Sequence, residues 1–351
     1  MEKVRKALLI ALSISIISIL AVVLLTFDEG TLHAIRNITP EYLLVAMAAH
    51  IVGYVFWGVR MSCLSRGLGY RVSLARCTSI VFHNLFLSAI TPSMMGGEPV
   101  RIHMLKNSGV PYGKAGVVVF GGRILDALFF IVAIPAVLLA FHFLGVASFL
   151  VLLTVSAVLL VGLVALIAYG LGKPYRLRSL IRAVAVHVVG FFVKLVGRLK
   201  KSPSDGSVSH IVERVDAEVK AFNDGLRELL KQGGGYVLGA FAATAGYWVA
   251  QYSVVVWLLL GLGVNVNLFE VAVMAFAAQI VLSMLMILPL TPGSSGIAEV
   301  GAFALFSSFA PLSVVGMLVL GWRAVHYYFD LLVGALYNLV DLKSIIDTED
   351  T

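Results

Sequence analysis

A chain that keeps arginines and carboxylates inside apolar stretches must stabilise them. Arg or Asp at the centre of a membrane helix costs roughly 2.5 to 3.5 kcal/mol unless it is paired or solvated. Glu98 and Arg101 are three residues apart, as are Arg123 and Asp126, so on a helix each pair shares a face. Arg323 shares a face with His326 and, two turns on, Asp330. For Arg123 and Asp126 two uses fit equally well: an internal salt bridge that fixes packing, or a polar site within the membrane. Arg323 and Glu299 have no opposite charge close by in sequence and need partners from elsewhere. Both are therefore expected to face a cavity, with Arg323 freer than Arg123 and more important to function than to folding. A phosphate suits such an arginine, whose planar fork donates two parallel hydrogen bonds while staying charged.

The second chemical feature is a pair of helix breaks. Thr91-Pro92-Ser93-Met94-Met95-Gly96-Gly97 and Thr291-Pro292-Gly293-Ser294-Ser295-Gly296 each interrupt an apolar stretch. A helix that restarts after such a break leaves unpaired N–H groups at its N-terminus, which attract phosphate or carboxylate. Thr91 and Thr291 can cap these ends, and Gly96, Gly97, Gly293 and Gly296 allow a close backbone approach. The plainer alternative is a tight turn between packed half-helices; two matched copies favour a site. His50, His83 and His103 read as packing histidines, no His, Cys and carboxylate spacing reads as a metal site, and no cofactor is implied. No HExxH, GxSxG, P-loop or dinucleotide fingerprint occurs, although a metal-free intramembrane enzyme using Glu98 and His103 stays open as an alternative.

The elements that position these residues follow from composition. Of 351 residues, 60% are hydrophobic and 13% charged, against roughly 45 to 50% and about 25% in soluble domains. With a mean hydropathy of +0.98, this is the signature of a polytopic all-α membrane protein, and it excludes an ordinary soluble globular one. The formal charge of +7 sits in loops beside apolar runs, so its expected partner is the anionic membrane surface, with no nucleic acid. Cys63 and Cys77 are too few for a disulfide framework.

Apolar runs at 7–27, 41–59, 115–143, 146–171, 236–262 and 312–340 read as six full spans. The broken stretches starting at 74 and 268 read as re-entrant hairpins, the first entering from the cytoplasm because Arg101, Lys106 and Lys114 follow it. Both termini are then cytoplasmic, in a multi-pass protein of the cell membrane. The expected division is a first membrane half, 1–171; a cytoplasmic helical hairpin, 172–235; a second membrane unit, 236–342; and a polar tail, 343–351. Within the hairpin, 175–201 carries seven basic residues and no acid opposite an apolar stripe, as a helix lying on an anionic leaflet does.

Shifting the chain by 200 residues aligns Thr91-Pro92 with Thr291-Pro292, Gly96 with Gly296, Val100 with Val300, Gly121 with Gly321, Arg123 with Arg323 and Trp57 with Trp257. Each unit reads span, broken hairpin, span. The loop charges give the two units opposite orientations, an inverted-topology repeat of the kind transporters use.

These segments also carry a family resemblance. The run Thr91 to Arg101, the later Gly121-Gly122-Arg123-Ile124-Leu125-Asp126, the run Leu290 to Glu299, and Arg323 before Tyr327-Tyr328 are similar to the lysylphosphatidylglycerol synthase transmembrane region family. The resemblance covers essentially the whole chain and implies a flippase-like lipid translocator without the soluble aminoacyl-transfer domain. The expected substrate is an anionic or polyprenyl-phosphate-type lipid, its headgroup gripped by Glu98, Arg101, Arg123, Asp126, Glu299 and Arg323. Rival readings are an integral-membrane transferase or phosphatase, and a membrane partner of a separate glycosyltransferase or synthase.

Overall fold

The computed structural model describes residues 2–91, 96–144, 158, 218, 220–229, 231, 233–264, 267–286 and 291–349. Every regular element among them is helical. Helix α1 (Glu2–Thr26) is followed by the short α2 (Glu29–Arg36), then α3 (Pro40–Gly67), α4 (Leu74–Ala89), α5 (Gly97–Asn107) and α6 (Tyr112–Leu144). After a helical piece at 220–229 come α7 (Gly234–Gly261), α8 (Leu268–Met286), α9 (Ile297–Phe306) and α10 (Leu312–Arg323). A π-helical turn, Ala324–Tyr328, then leads into α11 (Phe329–Glu349).

Six helical stretches are long and apolar enough to cross a membrane. Five match expected spans; the sixth, Leu268–Met286, is the first arm of the second expected hairpin. At 1.5 Å per residue it is about 28 Å long, enough to cross the hydrocarbon core. By contrast α4, with 16 residues, reaches only about 24 Å. The expected span 146–171 and the basic helix 175–201 lie, but for the single residue 158, outside the described residues. Arg60 and Arg66 belong to α3, which continues past the expected span end at 59, and Arg76 belongs to α4. Helix α2 was not anticipated, although its start is legible: Asp28 accepts from Thr31 N–H at 2.8 Å while Thr31 Oγ1 accepts from Asp28 N–H at 3.2 Å, a reciprocal cap.

The largest helix interface is between α3 and α7. Small residues let these helices approach closely, as in membrane bundles generally: Gly53 lies under Gln251 and Gly246 under Phe56. The other contacts come in matched sets. Helix α3 packs on α4 as α7 packs on α8; α4 packs on α5 and α5 on α6 as α8 packs on α9 and α9 on α10. Across the units, α4 leans on α11 as α8 leans on α6. The element starts share the 200-residue spacing, α5 and α9 at 97 and 297, α6 and α10 at 112 and 312 after Pro111 and Pro311. Side chains such as Ile17, Leu24 and Leu25 of α1 project outward, the arrangement expected where lipid is the solvent.

Candidate functional site

Helices α3, α5, α6 and α7 bring a charged cluster together within apolar surroundings. Glu98 lies in the first turn of α5, and its Oε1 accepts from Arg123 Nη2 at 2.5 Å and Nε at 3.0 Å, and from Arg101 Nη2 at 3.1 Å. Asp126 faces Arg60 of α3, with Nη1 to Oδ1 at 2.5 Å, and also accepts from Trp248 Nε1 at 3.0 Å. The pair expected from spacing, Arg123 and Asp126, is stretched to 3.8 Å, because both residues have better partners on neighbouring helices. Arg101 stacks its guanidinium 4.9 Å from the Trp57 ring centre, while Arg60 lies 5.5 Å from Trp57 and 5.7 Å from Tyr247.

Three guanidinium groups thus meet two carboxylates, leaving one positive charge over. Arg60 and Arg101 are buried, yet the Arg123 side chain is 47% exposed. Its neighbours Phe120 and Ile124 are exposed as well. Arg123 lies eleven residues into α6, about 17 Å along the helix, within the stretch Tyr112–Ala140 that is long and apolar enough to cross a membrane. Two polar atoms of the cluster, Arg101 Nε and Glu98 Oε2, are buried without a hydrogen-bond partner among the described residues.

The matching position of the second unit is closed. Arg323 Nε lies 2.9 Å from Glu299 Oε1, with the two side chains 1% and 0% exposed. Ser15 of α1 donates to Glu299 Oε1 at 2.5 Å, and Arg323 Nη2 reaches Ser15 Oγ at 3.3 Å and Ser295 Oγ at 3.2 Å. The Tyr327 ring covers the guanidinium at 4.1 Å. The partner that each residue lacked nearby in sequence is the other. Arg323 is therefore the confined arginine and Arg123 the open one, the reverse of the expectation from spacing.

The two breaks meet. Gly293 N–H donates to Thr91 carbonyl oxygen at 3.1 Å, and a side chain at Gly293 would strike the Ala89 carbonyl and the Tyr327 ring. Its φ of +59° and the +89° of Gly296 lie in the left-handed region that glycine adopts freely. Helix-start N–H groups expected to await a phosphate are already taken: Gly96 N–H by Thr91 Oγ1 at 2.9 Å, Gly296 N–H by Glu299 Oε2 at 2.5 Å. Thr91 thus holds the residue before α5, whereas Thr291 donates to Ser295 carbonyl oxygen at 2.7 Å and leaves the start of α9 to Glu299. Pro292 and Gly97 lie in the described segments beside these turns; Pro92 lies outside the described residues.

Residues 8–334 match the family described as Lysylphosphatidylglycerol synthase TM region. The chain belongs to that family. Among its relatives, a UPF0104 membrane protein of Archaeoglobus fulgidus is 29% identical over 321 residues, covering 91% of this chain and 93% of the relative. One from Pyrococcus horikoshii is 23% identical and matches 98% of this chain and 99% of its own length. The glycosyltransferase AglD of Haloferax volcanii is 22% identical over 323 residues, 86% of this chain but 49% of AglD.

Several residues of this family member's polar clusters escaped the sequence reading. Arg60 fell just past the expected span end at 59, although no Pro interrupts α3 before Gly67 and Trp57 stands one turn earlier. Ser15, Ser295, Tyr247 and Trp248 carry no sequence signal of their own; only the packing of distant helices assigns them a role.

Proposed function

We propose that this protein binds an anionic lipid headgroup at the Arg60, Arg101 and Arg123 cluster and moves the lipid across the membrane. The observation that carries this reading is the surplus guanidinium charge beside a helix of span-length apolar composition, open on one side at Arg123 between exposed Phe120 and Ile124. An isolated charge in such surroundings costs several kcal/mol, and a single phosphate anion offsets it. The headgroup enters laterally and its tail lies along the apolar face of α6, as a lipid requires and a free anion does not. Arg123 and Arg101 grip the phosphate, Glu98 spaces them, and Asp126 holds Arg60.

The paired units supply the way to move it. We read them as an inverted repeat: the Glu98–Arg123 site is open while the Glu299–Arg323 site is closed, and exchange of these two states exposes the headgroup to opposite sides in turn. The substrate class is a lipid with a phosphate-bearing headgroup, of the glycerophospholipid or polyprenyl-phosphate type, and the setting is the cell membrane with both termini cytoplasmic.

The test uses purified protein in liposomes with fluorescent anionic or zwitterionic lipid in one leaflet. Faster loss of leaflet asymmetry for the anionic probe, abolished by Arg123→Gln in a folded protein, supports the reading. Equal rates with and without protein overturn it. Covalent turnover of the probe moves the chain to the transferase or phosphatase class. The AglD match covers about half of that glycosyltransferase, which favours, as a second reading, a membrane partner for a separately encoded synthase; co-purification of such an enzyme is its test.

A further inference from the structure

Between the open and closed clusters lies a third buried polar group that the headgroup site does not use. His50 of α3, 1% exposed, has both ring nitrogens engaged: Nδ1 is 2.6 Å from Gln251 Oε1 and Nε2 is 2.9 Å from Asp330 Oδ1. The orientation of Gln251 is set by its own Nε2, which donates to the His50 carbonyl oxygen at 3.2 Å. Its oxygen must therefore accept from His50 Nδ1–H. A neutral imidazole has one N–H, already spent there, so Nε2 would face a bare carboxylate with a lone pair. The contact closes only with one more proton, carried on Nε2 or on Asp330 Oδ1. Tyr54 Oη donates to the second oxygen, Oδ2, at 2.5 Å, which completes the carboxyl group.

We propose that His50 and Asp330 hold one exchangeable proton and that its loading and release are linked to lipid movement. The linkage rests on the lipid-translocase reading above. Asp330, with its side chain 14% exposed, is the exchange route; His50 is sealed. The titratable groups around the pair are Tyr54 on α3, His326 on the π turn, whose ring is 4.7 Å from His50, and Tyr247 on α7; Phe82 of α4 closes that side.

The pair connects to both clusters through intervening residues. On α3, Tyr54 packs on Trp57 at 6.2 Å, and Trp57 carries Arg60 and Arg101 on its ring. On the other side Arg323 immediately precedes the π turn and Asp330 lies two residues after it. π turns recur at functional sites, and each inserts one residue into an α-helix. Return of this turn to α geometry would swing Asp330 by about 100° about the helix axis relative to Arg323, away from His50 and Tyr54. Loss of the proton, which leaves the Nε2 lone pair against a carboxylate, drives that swing; regain of a proton reverses it. One proton enters and one leaves per cycle.

Two measurements on protein in liposomes separate the proton site from its linkage. The first is infrared difference spectroscopy between acid and alkaline pH. An imidazole change and a carboxyl change that occur together at one pH in the parent are expected, and in His50→Gln or Asp330→Asn the change of the remaining partner should move to a different pH. Separate transitions in the parent, or a remaining partner whose change stays at the parent's pH, overturn the proton site and leave the translocase reading intact. The second is anionic-probe movement under an imposed pH gradient with the membrane potential clamped. A several-fold change in rate on reversing the gradient is expected, and a flat response in His50→Gln, which keeps a polar side chain without the titration. Parent movement that ignores the gradient overturns the linkage. No parent movement at either gradient overturns the translocase reading and the linkage with it, while the infrared result still decides the proton site.

Discussion

Arg123 and Arg323 occupy equivalent positions 200 residues apart, yet removing them should have opposite consequences. Arg323→Leu strands the Glu299 carboxylate, which is 0% exposed and among the described residues keeps the donors from Ser15 and Gly296. Breaking a buried pair in this way costs about 3 to 5 kcal/mol. Arg123→Leu leaves Glu98 bonded to Arg101, and the lost group is 47% exposed, so solvent screening holds its cost to about 0 to 1 kcal/mol. The gap is at least about 2 kcal/mol, about 30-fold in the unfolding constant. Unfolding by SDS in mixed micelles, followed by tryptophan fluorescence, measures it. The double variant Glu299→Leu with Arg323→Leu should recover most of the loss, because a well-packed apolar pair replaces two desolvated charges. Equal sensitivity of Arg123→Leu and Arg323→Leu, or a double variant worse than either single one, would refute the assignment of Arg323 to stability and Arg123 to the ligand.

Three further outcomes follow from the same geometry. Single cysteines at the exposed positions Lys106 and Ser308, in a background lacking Cys63 and Cys77, should label from opposite faces of oriented vesicles; labelling from one face would end the inverted-repeat reading. Gly293→Ala should cost at least about 1 kcal/mol, since φ is +59° and the added methyl meets the Ala89 carbonyl; a Tm equal to the parent's would show that the two breaks separate freely. A peptide of residues 175–201 should bind anionic vesicles and release them as salt rises, through screened attraction; equal binding to neutral vesicles would assign its position to the apolar stripe alone.

Much of this protein was legible because lipid imposes a simple rule on sequence: a spanning helix must satisfy its own backbone and show an apolar surface. Hydropathy therefore located α1, α3, α6, α7 and the α10–α11 span, although α3 runs eight residues and α11 nine residues past their expected ends. The Thr-Pro segments flagged breaks between helices, and the 200-residue spacing recurs in the starts of α5 and α9 and of α6 and α10. Spacing along one helix also drew attention to Glu98, Arg101, Arg123 and Asp126, which the fold gathers into one cluster, since an intramembrane arginine stands out against its neighbours whatever it touches.

Which charges belong together was decided only in three dimensions. Glu98 takes an arginine 25 residues away, Asp126 one 66 away, and Glu299 a serine 284 away. An i, i+3 relation brings two side chains to one helix face, but the energy of a buried charge depends on every donor around it. A partner on an adjacent helix at 2.5 Å therefore displaces one on the same helix at 3.8 Å. For the same reason Arg123 and Arg323, alike in sequence, differ in the fold: α1 lays Ser15 over the second site, while the first stays open beside Phe120 and Ile124. His50 looked like a packing histidine because nothing near it in sequence is acidic. Only the packing of α11 against the rest of the bundle set Asp330 beside it, 280 residues along the chain.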